Sequence, residues 1–564
     1  MTEKNRKESG EISRRDLVKG AAVAAAAIVG VGALASCTGP EGAVGSTGPA
    51  GPTGPAGAAG AAGAPAIPVV AGKELTCDVL VVGAGSAGME AACRASQLGV
   101  DVTLIEKLPH GWWAPGGSMI LSGQSYHIGS ISPMSSEEEL MKRVTAVTLG
   151  RSPQAILEAL VKNAHRAIGW MKSLGVEFTE PEGNETSLSP KKHNPTNGTM
   201  WAYIKPGGPD DAANLGGKKT VELLLSHFEK NGGKAIFETK ATKLLTNEKG
   251  EVVGVLAKDK DGFFKIRAKS TILATGGYAC NKELCELFIG PGGGEIIPYC
   301  TPGATGDGLL MAMEIGAARQ AQSVANGNRP VPEKAVWNYD LCYLNLAPLG
   351  QKGIVADEFG ERIWDESLTV EPTVWQAIQL RYRLGVTGMV VCDQALYNTD
   401  SKAKAIIDQV FEFKGTVYKE DTIEKVVKSA QEDVELGIRI GRQHRLVGTV
   451  NEFNKAIEEG TTLLTLRPPR KDYLNKISTP PFYAIPFTAM NIATFGGLQS
   501  NEQAQVLNRD GEVIPGLYAA GEVSAASGGI GPINTVYHGG CYTGMLSGGL
   551  IFGLIAAEEA AARA

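Results

Sequence analysis

The nine cysteines of this 564-residue chain include no Cys-x-x-Cys and no Cys-x-x-Cys-His pattern. That excludes a ferredoxin-type cluster and a c-type haem attachment encoded in the chain. Cys280 and Cys285 are the nearest pair along the sequence, and ordinary packing accounts for both. The seven histidines are scattered without the spacing of a metal site, so no metal is expected. Positive charge is also in short supply: 54 Lys and Arg face 60 Asp and Glu, the net charge is −6, and the pI is near 5.8. With no basic block beyond the first segment, nucleic acid is a poor partner. Strongly apolar runs are missing as well. The Ala-rich stretch 20–35 falls short of the ~20 strongly apolar residues that a membrane-spanning helix needs.

Glycine is what the chain has in quantity, 72 residues of it. The stretch that organises the sequence, 78–107, is built around it. Residues 79–82 are apolar and suit a buried parallel strand; Gly83-Ala84-Gly85-Ser86-Ala87-Gly88 follows, then an Ala-rich segment suited to a helix, then the β-branched run 102–105 ending at Glu106. A GxGxxG match is weak alone, but between a strand and a helix, with a carboxylate closing the next strand, it marks a dinucleotide site. Gly83 permits the tight turn, Gly85 lets the backbone approach a pyrophosphate, and Gly88 lets helix and sheet pack closely. The helix N-terminus offers its N–H groups to the phosphates. Glu106 stands where a carboxylate accepts hydrogen bonds from ribose hydroxyls.

Two unusual segments precede this stretch. Ser13-Arg14-Arg15-Asp16-Leu17-Val18-Lys19 with the apolar 20–35 resembles a twin-arginine export signal, and Leu34-Ala35-Ser36-Cys37 resembles a lipobox whose Cys37 becomes lipidated. From 39 to 65 glycine then recurs at every third position. Strict Gly-X-Y spacing is the collagen signature, because only glycine fits the axis of a triple helix. The run reads either as a semi-extended spacer, on the order of 80 Å long at about 3.1 Å per residue, or as a trimerising stalk.

Further along, 116–123 is a Gly-rich run suited to a backbone lying against a planar ring system. Helical periodicity covers 137–147, 155–174 and 220–231; strands are predicted over 235–238, 250–258, 263–268 and 270–277. Thr305-Gly306-Asp307-Gly308 precedes a helix through 318. From about 324 to 491 the character changes, with more aromatic and charged residues and amphipathic helices at 422–431 and 450–459. Residues 513–522 return to the earlier style, followed by a Gly-rich tract and a terminal helix over 546–564. The pattern is that of one nucleotide-binding domain with a different domain inserted.

Five motifs occur in a specific order: Gly83–Gly88 with Glu106; Ala274-Thr275-Gly276-Gly277; Thr305-Gly306-Asp307-Gly308; Gly360-Glu361-Arg362-Ile363-Trp364-Asp365-Glu366; and Gly516-Leu517-Tyr518-Ala519-Ala520-Gly521-Glu522. By them the chain resembles, over about 75–564, the fumarate reductase/succinate dehydrogenase flavoprotein superfamily, which also holds flavocytochrome fumarate reductases, urocanate reductase and 3-ketosteroid dehydrogenases. The resemblance implies FAD, and because Ser118 and Met119 stand beside Gly116-Gly117 where the succinate dehydrogenase branch has its linking histidine, the FAD is expected to be non-covalent. The resemblance also implies an α/β fold in which a Rossmann-like FAD-binding domain (75–323 and 492–564) carries an inserted α+β capping domain (324–491), behind a signal peptide (1–37) and a linker (38–74). Cofactor contacts are implied at Gly83, Gly85, Ser86, Ala87, Gly88, Glu106, Lys107, Gly117, Ser118, Ser122, Gly123, Ala274, Thr275, Gly276, Gly277, Thr305, Asp307, Gly521, Glu522, Met545 and Leu546. The chemistry implied is hydride transfer between flavin N5 and a carbon–carbon single or double bond.

The departures from the family pattern narrow the substrate. Where the fumarate reductases carry His-Pro-Thr, this chain has Gly327-Asn328-Arg329-Pro330; their proton-donating arginine falls on Val370. Their His-His pair is replaced by Ile492-Ala493, and their late arginine falls near Gly540. A buried dicarboxylate without cationic partners is strongly disfavoured, so fumarate and succinate are poor substrates. Around these positions stand Trp337, Tyr339, Tyr343, Tyr537, His538 and Tyr542. By analogy with the ketosteroid branch, Tyr343, Tyr537 and Tyr542 are candidate proton donors, with His538 tuning its neighbour. The expected substrate is a neutral or apolar compound with an activated C=C or CH–CH bond, such as an enone, a steroid or a cinnamate-like compound. One alternative is reduction of an organic acid such as urocanate, with Arg329, Arg381 or Arg383 supplying charge; another, from a different class, is a surface-anchored collagen-like scaffold. No haem, cluster or NAD(P) signal accompanies the flavin motifs, so a cytochrome or quinol-linked partner is expected to exchange electrons with an exported enzyme of the periplasm or cell surface.

Overall fold

The computed structural model describes residues 69–118, 125–126, 137–138, 141–142, 145, 153–179, 202–204, 217–320, 325–326, 330–335, 346–363, 365–368, 388–436, 443–491, 493–525 and 545–564. The signal segment and the Gly-X-Y run lie outside them, as does most of the helix expected over 137–147.

The first sheet begins with β1 (Val69–Val82), α1 (Ser86–Gln97) and β2 (Val102–Ile105), and gains β3 (Lys234–Ile236) after helices α2 (Gln154–Ser173) and α3 (Gly217–Lys230). Strands β1, β2 and β3 pair in parallel, and every residue of β2 is buried. Strands covered on both faces need no polar alternation, which is why 79–82 and 102–105 read as continuous apolar runs. On one face α1, α2 and α3 share one core with the sheet, burying Ala91, Ala95, Leu157, Ala164, Leu224 and Phe228.

β1 starts ten residues earlier than its apolar run, because its first half pairs with β6 (Gly262–Leu273), Glu74 beside Lys265 and Leu75 beside Ile266. β6 is one strand where the sequence suggested two. Its first half joins an antiparallel meander with β4 (Lys240–Thr246) and β5 (Val252–Asp259), and its second half enters the parallel sheet. The chain continues through α4 (Lys282–Ile289), the short β7 (Ile297–Pro298) and α5 (Asp307–Glu314).

A second sheet follows. β8 (Pro330–Pro332), β9 (Ile354–Ala356), β10 (Gly388–Asp393), β11 (Tyr418–Glu420) and β12 (Phe482–Asn491) assemble with β7, and β12 is central, pairing with β7, β8, β10 and β11. Helices α6 (Ser401–Glu412), α7 (Ile423–Glu432) and α8 (Leu446–Glu458) accompany it. Alternate residues serve two cores: Ile354, Met389, Val391 and Ala484 pack towards Val426 and Phe453, while Val355, Val390, Tyr483 and Ile485 face Leu349 and Ile407. Asp400 and Thr422 cap α6 and α7 by accepting from the N–H groups of Ala403 and Lys425, the expected device for orphan donors in a first turn.

The chain then returns to the first sheet, where β14 (Val513–Ala519) adds in parallel to β6 and β13 (Gln505–Leu507) closes the edge. The terminal helix α9 (Met545–Arg563) packs on α1. A Cβ on Gly553 would sit 3.0 Å from the Ala87 carbonyl oxygen, so the two helices approach almost backbone to backbone. Among the described residues no helix is long and apolar enough to cross a membrane.

Candidate functional site

The site forms at the carboxyl end of the parallel sheet. Gly83 follows β1 with φ 103°, and a Cβ there would sit 2.5 Å from the Ala274 carbonyl oxygen. α1 then starts at Ser86 with no side chain capping its first turn, because its N-cap is Gly85; the Ser86 hydroxyl donates to buried Glu90 at 2.9 Å. Its first N–H groups are thus left for an anion.

Two further glycine segments close on this turn. Gly116 donates to the Ala84 carbonyl at 2.8 Å, and a Cβ on Gly117 would lie 3.3 Å from the Gly85 Cα. Gly276, beyond β6, has φ 70° and nothing within 4 Å of where its Cβ would stand. Beside it the buried Thr275 hydroxyl has no hydrogen-bond partner among the described residues. Backbone laid open by glycine on three sides, an uncapped helix start and an orphaned buried hydroxyl together fit a bound dinucleotide. Ser118, the next residue, accepts from the Thr301 N–H at 3.1 Å.

Glu106 directly follows β2 with both oxygens on backbone: Oε2 accepts from Ala84 and Oε1 from Leu108, each at 2.8 Å. A carboxylate has about four acceptor positions, so capacity remains for ribose hydroxyls. Lys107, Thr305 and Asp307, implied separately as cofactor contacts, form one cluster: Lys107 Nζ donates to Thr305 Oγ1 and Asp307 Oδ2, both at 2.6 Å. Lys240, which no motif flagged, adds an ion pair to Asp307 at 2.9 Å. Burial works against the charge on Asp307, but the two ammonium groups prevail and hold its carboxyl below its ordinary range.

Across the sheet, partly buried Glu522 sits behind Gly277. It accepts from the Thr494 N–H at 2.6 Å, from the Thr494 hydroxyl at 3.0 Å, and from the Gly277 N–H. A Cβ on Gly277 would fall 2.1 Å from both Glu522 Oε1 and Thr494 Oγ1, so the Gly276-Gly277 pair lets the backbone rest on this carboxyl. Thr494 follows the Ile492-Ala493 pair, but its contact with Glu522, 28 residues away, is one that sequence reasoning missed. Gly521 packs on α1, its Cβ position 2.9 Å from the Ala87 Cβ.

Burial pushes the Glu522 carboxyl up from 4.5 to about 7, against the three hydrogen bonds that favour its charge. Between those values the native chain keeps a proton that the unfolded chain has released. The residue therefore favours the native state most at acid pH, and that advantage declines as pH rises from about 4.5 to about 7, by on the order of 3 kcal/mol. Glu522→Gln, which keeps one acceptor for Thr494 and does not titrate, is expected to remove that decline. The melting difference between wild type and variant should change across pH 4.5–7; a difference constant with pH would refute the buried proton.

The four candidate catalytic residues, Tyr343, Tyr537, His538 and Tyr542, lie outside the described residues, as do Ser122, Gly123, Trp337, Tyr339, Val370, Gly540, Arg329, Arg381 and Arg383. Met545 and Leu546 begin α9.

Comparison with known proteins agrees with this geometry. The family described as an FAD binding domain matches residues 78–537. A cytochrome-type fumarate reductase of Shewanella frigidimarina is 27% identical over 505 residues, covering 86% of this chain and 77% of its own. In fold, the chain is similar to the 3-ketosteroid Δ4-(5α)-dehydrogenase of Rhodococcus jostii RHA1, with a TM-score of 0.64, 24% identity, and coverage of 88% of this chain and 100% of that one. It is also similar to the open form of a flavocytochrome c3 fumarate reductase, with a TM-score of 0.62, 24% identity, and coverage of 87% and 79%.

Proposed function

This chain belongs to the FAD-binding flavoprotein family of the fumarate reductases, and on that premise we propose that it reduces or dehydrogenates a neutral, carbonyl-activated substrate. It is an FAD-dependent oxidoreductase acting on C=C or CH–CH bonds. Bound in the cradle, FAD supplies hydride exchange at its N5. The chain's residues bind and orient it: Glu106 at the ribose, Gly83–Gly88 and the start of α1 at the pyrophosphate, and the 274–277 turn backed by Glu522.

The observation that carries the neutral-substrate reading is Ala493-Thr494. Ala493 is buried where the resemblance calls for a histidine, and Thr494 commits its N–H and hydroxyl to Glu522. The buried arginines of the second sheet's domain give further support. Arg362 grips Glu366 and donates to the Pro468 carbonyl, while Arg470 donates to the carbonyls of Gly353, Gln351, Asp472 and Tyr473. Guanidinium groups engaged in this way are poorly placed to receive a carboxylate.

In this reading one of Tyr343, Tyr537 and Tyr542 delivers the proton, with His538 beside Tyr537. A dye-linked assay with reduced viologen should show turnover of an enone or cinnamate-type compound well above that of fumarate. Phe at the operative tyrosine should lower that turnover about 100-fold with FAD retained. Fumarate turnover equal to that of the best neutral substrate would overturn the reading. So would three Tyr→Phe variants of undiminished activity. The identity shared with the Shewanella fumarate reductase favours a second reading, reduction of an organic acid, for which Arg329, Arg381 or Arg383 would supply charge.

We infer non-covalent flavin. The residues beside Gly116-Gly117 are Ser118 and Met119, His127 is remote in sequence, and the His110 ring packs edge-on against Phe237 at 4.9 Å. Acid precipitation should release the yellow colour into the supernatant; flavin fluorescence on the denatured band would refute this. The leader supports export with an anchor at Cys37, and the lack of haem and cluster motifs supports an external cytochrome or quinol-linked electron partner.

A further inference from the structure

We propose that Cys280 and Cys300 are a disulfide-forming pair which, once oxidised, fastens two walls of the flavin cradle together. Their sulfur atoms lie 3.5 Å apart. Cys280 Sγ also reaches the Thr301 carbonyl at 3.4 Å, and the Cys280 N–H donates to the Ala304 carbonyl at 2.9 Å, so the two segments already lie side by side. An S–S bond of about 2.05 Å asks the sulfurs to close by roughly 1.5 Å, within reach of side-chain rotation and a small loop adjustment.

The two thiols differ in the way a nucleophile and its resolving partner differ. Cys280 is half-buried and Cys300 is buried, so an oxidant meets Cys280 first. The hydrogen bond from Cys300 holds the Cys280 thiol below its ordinary value; the same bond, together with burial, raises Cys300. Cys285, the neighbour in sequence, is a poor competitor. Its thiol points at the carbonyls of Tyr278 and Ala279, and burial pushes it up to about 12.

With a small-molecule disulfide as oxidant, the Cys280 thiolate attacks one sulfur and expels one thiolate, leaving a mixed disulfide. Cys300 then loses its proton to the expelled thiolate and attacks the Cys280 sulfur, releasing the second thiolate, which takes up the proton that Cys280 gave up. Two protein thiols are oxidised and one external disulfide becomes two thiols.

The pair stands where such a bond would matter. Cys280 follows Gly276-Gly277, and Cys300 precedes Thr301, which donates to Ser118 and has its methyl 3.9 Å from the Gly117 Cβ position. Joining them restrains both segments against movement that lets the cofactor leave. This consequence rests on the flavin reading above, whereas the thiol chemistry can be read with or without flavin.

The flavin-loaded protein is incubated with oxidised glutathione or with a dithiol reductant, alkylated under denaturing conditions and mapped by peptide mass. The oxidised sample should contain a Cys280–Cys300 cross-linked peptide, and the reduced sample should have both residues alkylated. Cys300→Ser should instead retain one glutathione on Cys280. Flavin release from the oxidised sample should be slower by about tenfold, the smaller end of the restraint that a disulfide supplies. Two thiols still alkylated after glutathione, or a cross-link through Cys285, would overturn the pairing. A cross-link with unchanged flavin release would overturn the fastening. A cross-link in protein that carries no flavin would uphold the pairing and count against the flavin reading alone.

Discussion

Gly88→Ala is expected to yield no soluble, flavin-loaded protein. A Cβ at this position would lie 1.9 Å from the Gly83 carbonyl oxygen, 3.0 Å from its carbon and 3.2 Å from the Ala274 Cβ. The first two atoms are backbone, and that backbone is tied down: the Gly83 N–H donates to the Ile105 carbonyl at 2.8 Å, and the Ala274 N–H donates to the Val82 carbonyl at 2.9 Å. To make room, either α1 must lift from the sheet or the end of β1 must break its ladder. Either movement dismantles the phosphate-facing turn, and overpacking against backbone belongs among the few mechanisms that cost more than about 4 kcal/mol. Gly99→Ala is the matched control. Gly99 has φ 81° with nothing within 4 Å of its Cβ position, so only the left-handed conformation is penalised, by about 1–2 kcal/mol. The control should purify with bound flavin. Gly88→Ala recovered with wild-type flavin content would show that helix and strand are not packed as described.

How much of this could be read beforehand depended on how local the signal was. Gly83–Gly88, Glu106 and the 305–308 segment lie within short windows whose turn chemistry forces a particular backbone, and the structure places them around one cradle. Lys240, Thr494 and Cys300 reach the same region from distant segments, Cys300 being 20 residues from its sulfur partner. No periodicity records such approaches. The second sheet was hidden for another reason. Met389, Val390, Val391 and Cys392 are all buried, so β10 has no polar face to alternate with, and runs covered on both sides carry no strand-specific period. The helices beside it were legible because their outer faces meet water: the amphipathic stretch 422–431 is α7 with Thr422 as its cap. The two strands expected over 263–268 and 270–277 are one through Lys269. Its ammonium reaches outward to Asp78 at 2.8 Å and to the Ala564 carbonyl at 2.6 Å, so the strand runs past it undisturbed.

Glu106→Lys is expected to abolish flavin retention while leaving the fold in place. Its carboxylate does two jobs at once. Its accepted bonds from Ala84 and Leu108, each 2.8 Å, shape the turn, and its remaining acceptor positions are those a ribose hydroxyl can use. An ammonium reverses every one of these relations, since lysine has three donors and no acceptor. It would also add a second cation beside Lys107, whose own charge is already balanced on Asp307 at 2.6 Å. Hydrogen bonds to a charged group are worth about 1.5–3 kcal/mol each, so losing two ribose contacts alone weakens binding by at least about 100-fold. The strand itself is held by its pairing with β1 and β3 and by buried Val102, Leu104 and Ile105, none of which the substitution touches. Glu106→Gln separates the two effects. It keeps an acceptor for Ala84 but loses the charge, and should retain flavin at an intermediate level. Flavin content after gel filtration, with far-ultraviolet circular dichroism as the check on folding, reads the outcome. A Lys variant with wild-type flavin would place the ribose away from Glu106, whereas one that loses both flavin and helical signal would make Glu106 a residue of the fold before it is one of the site.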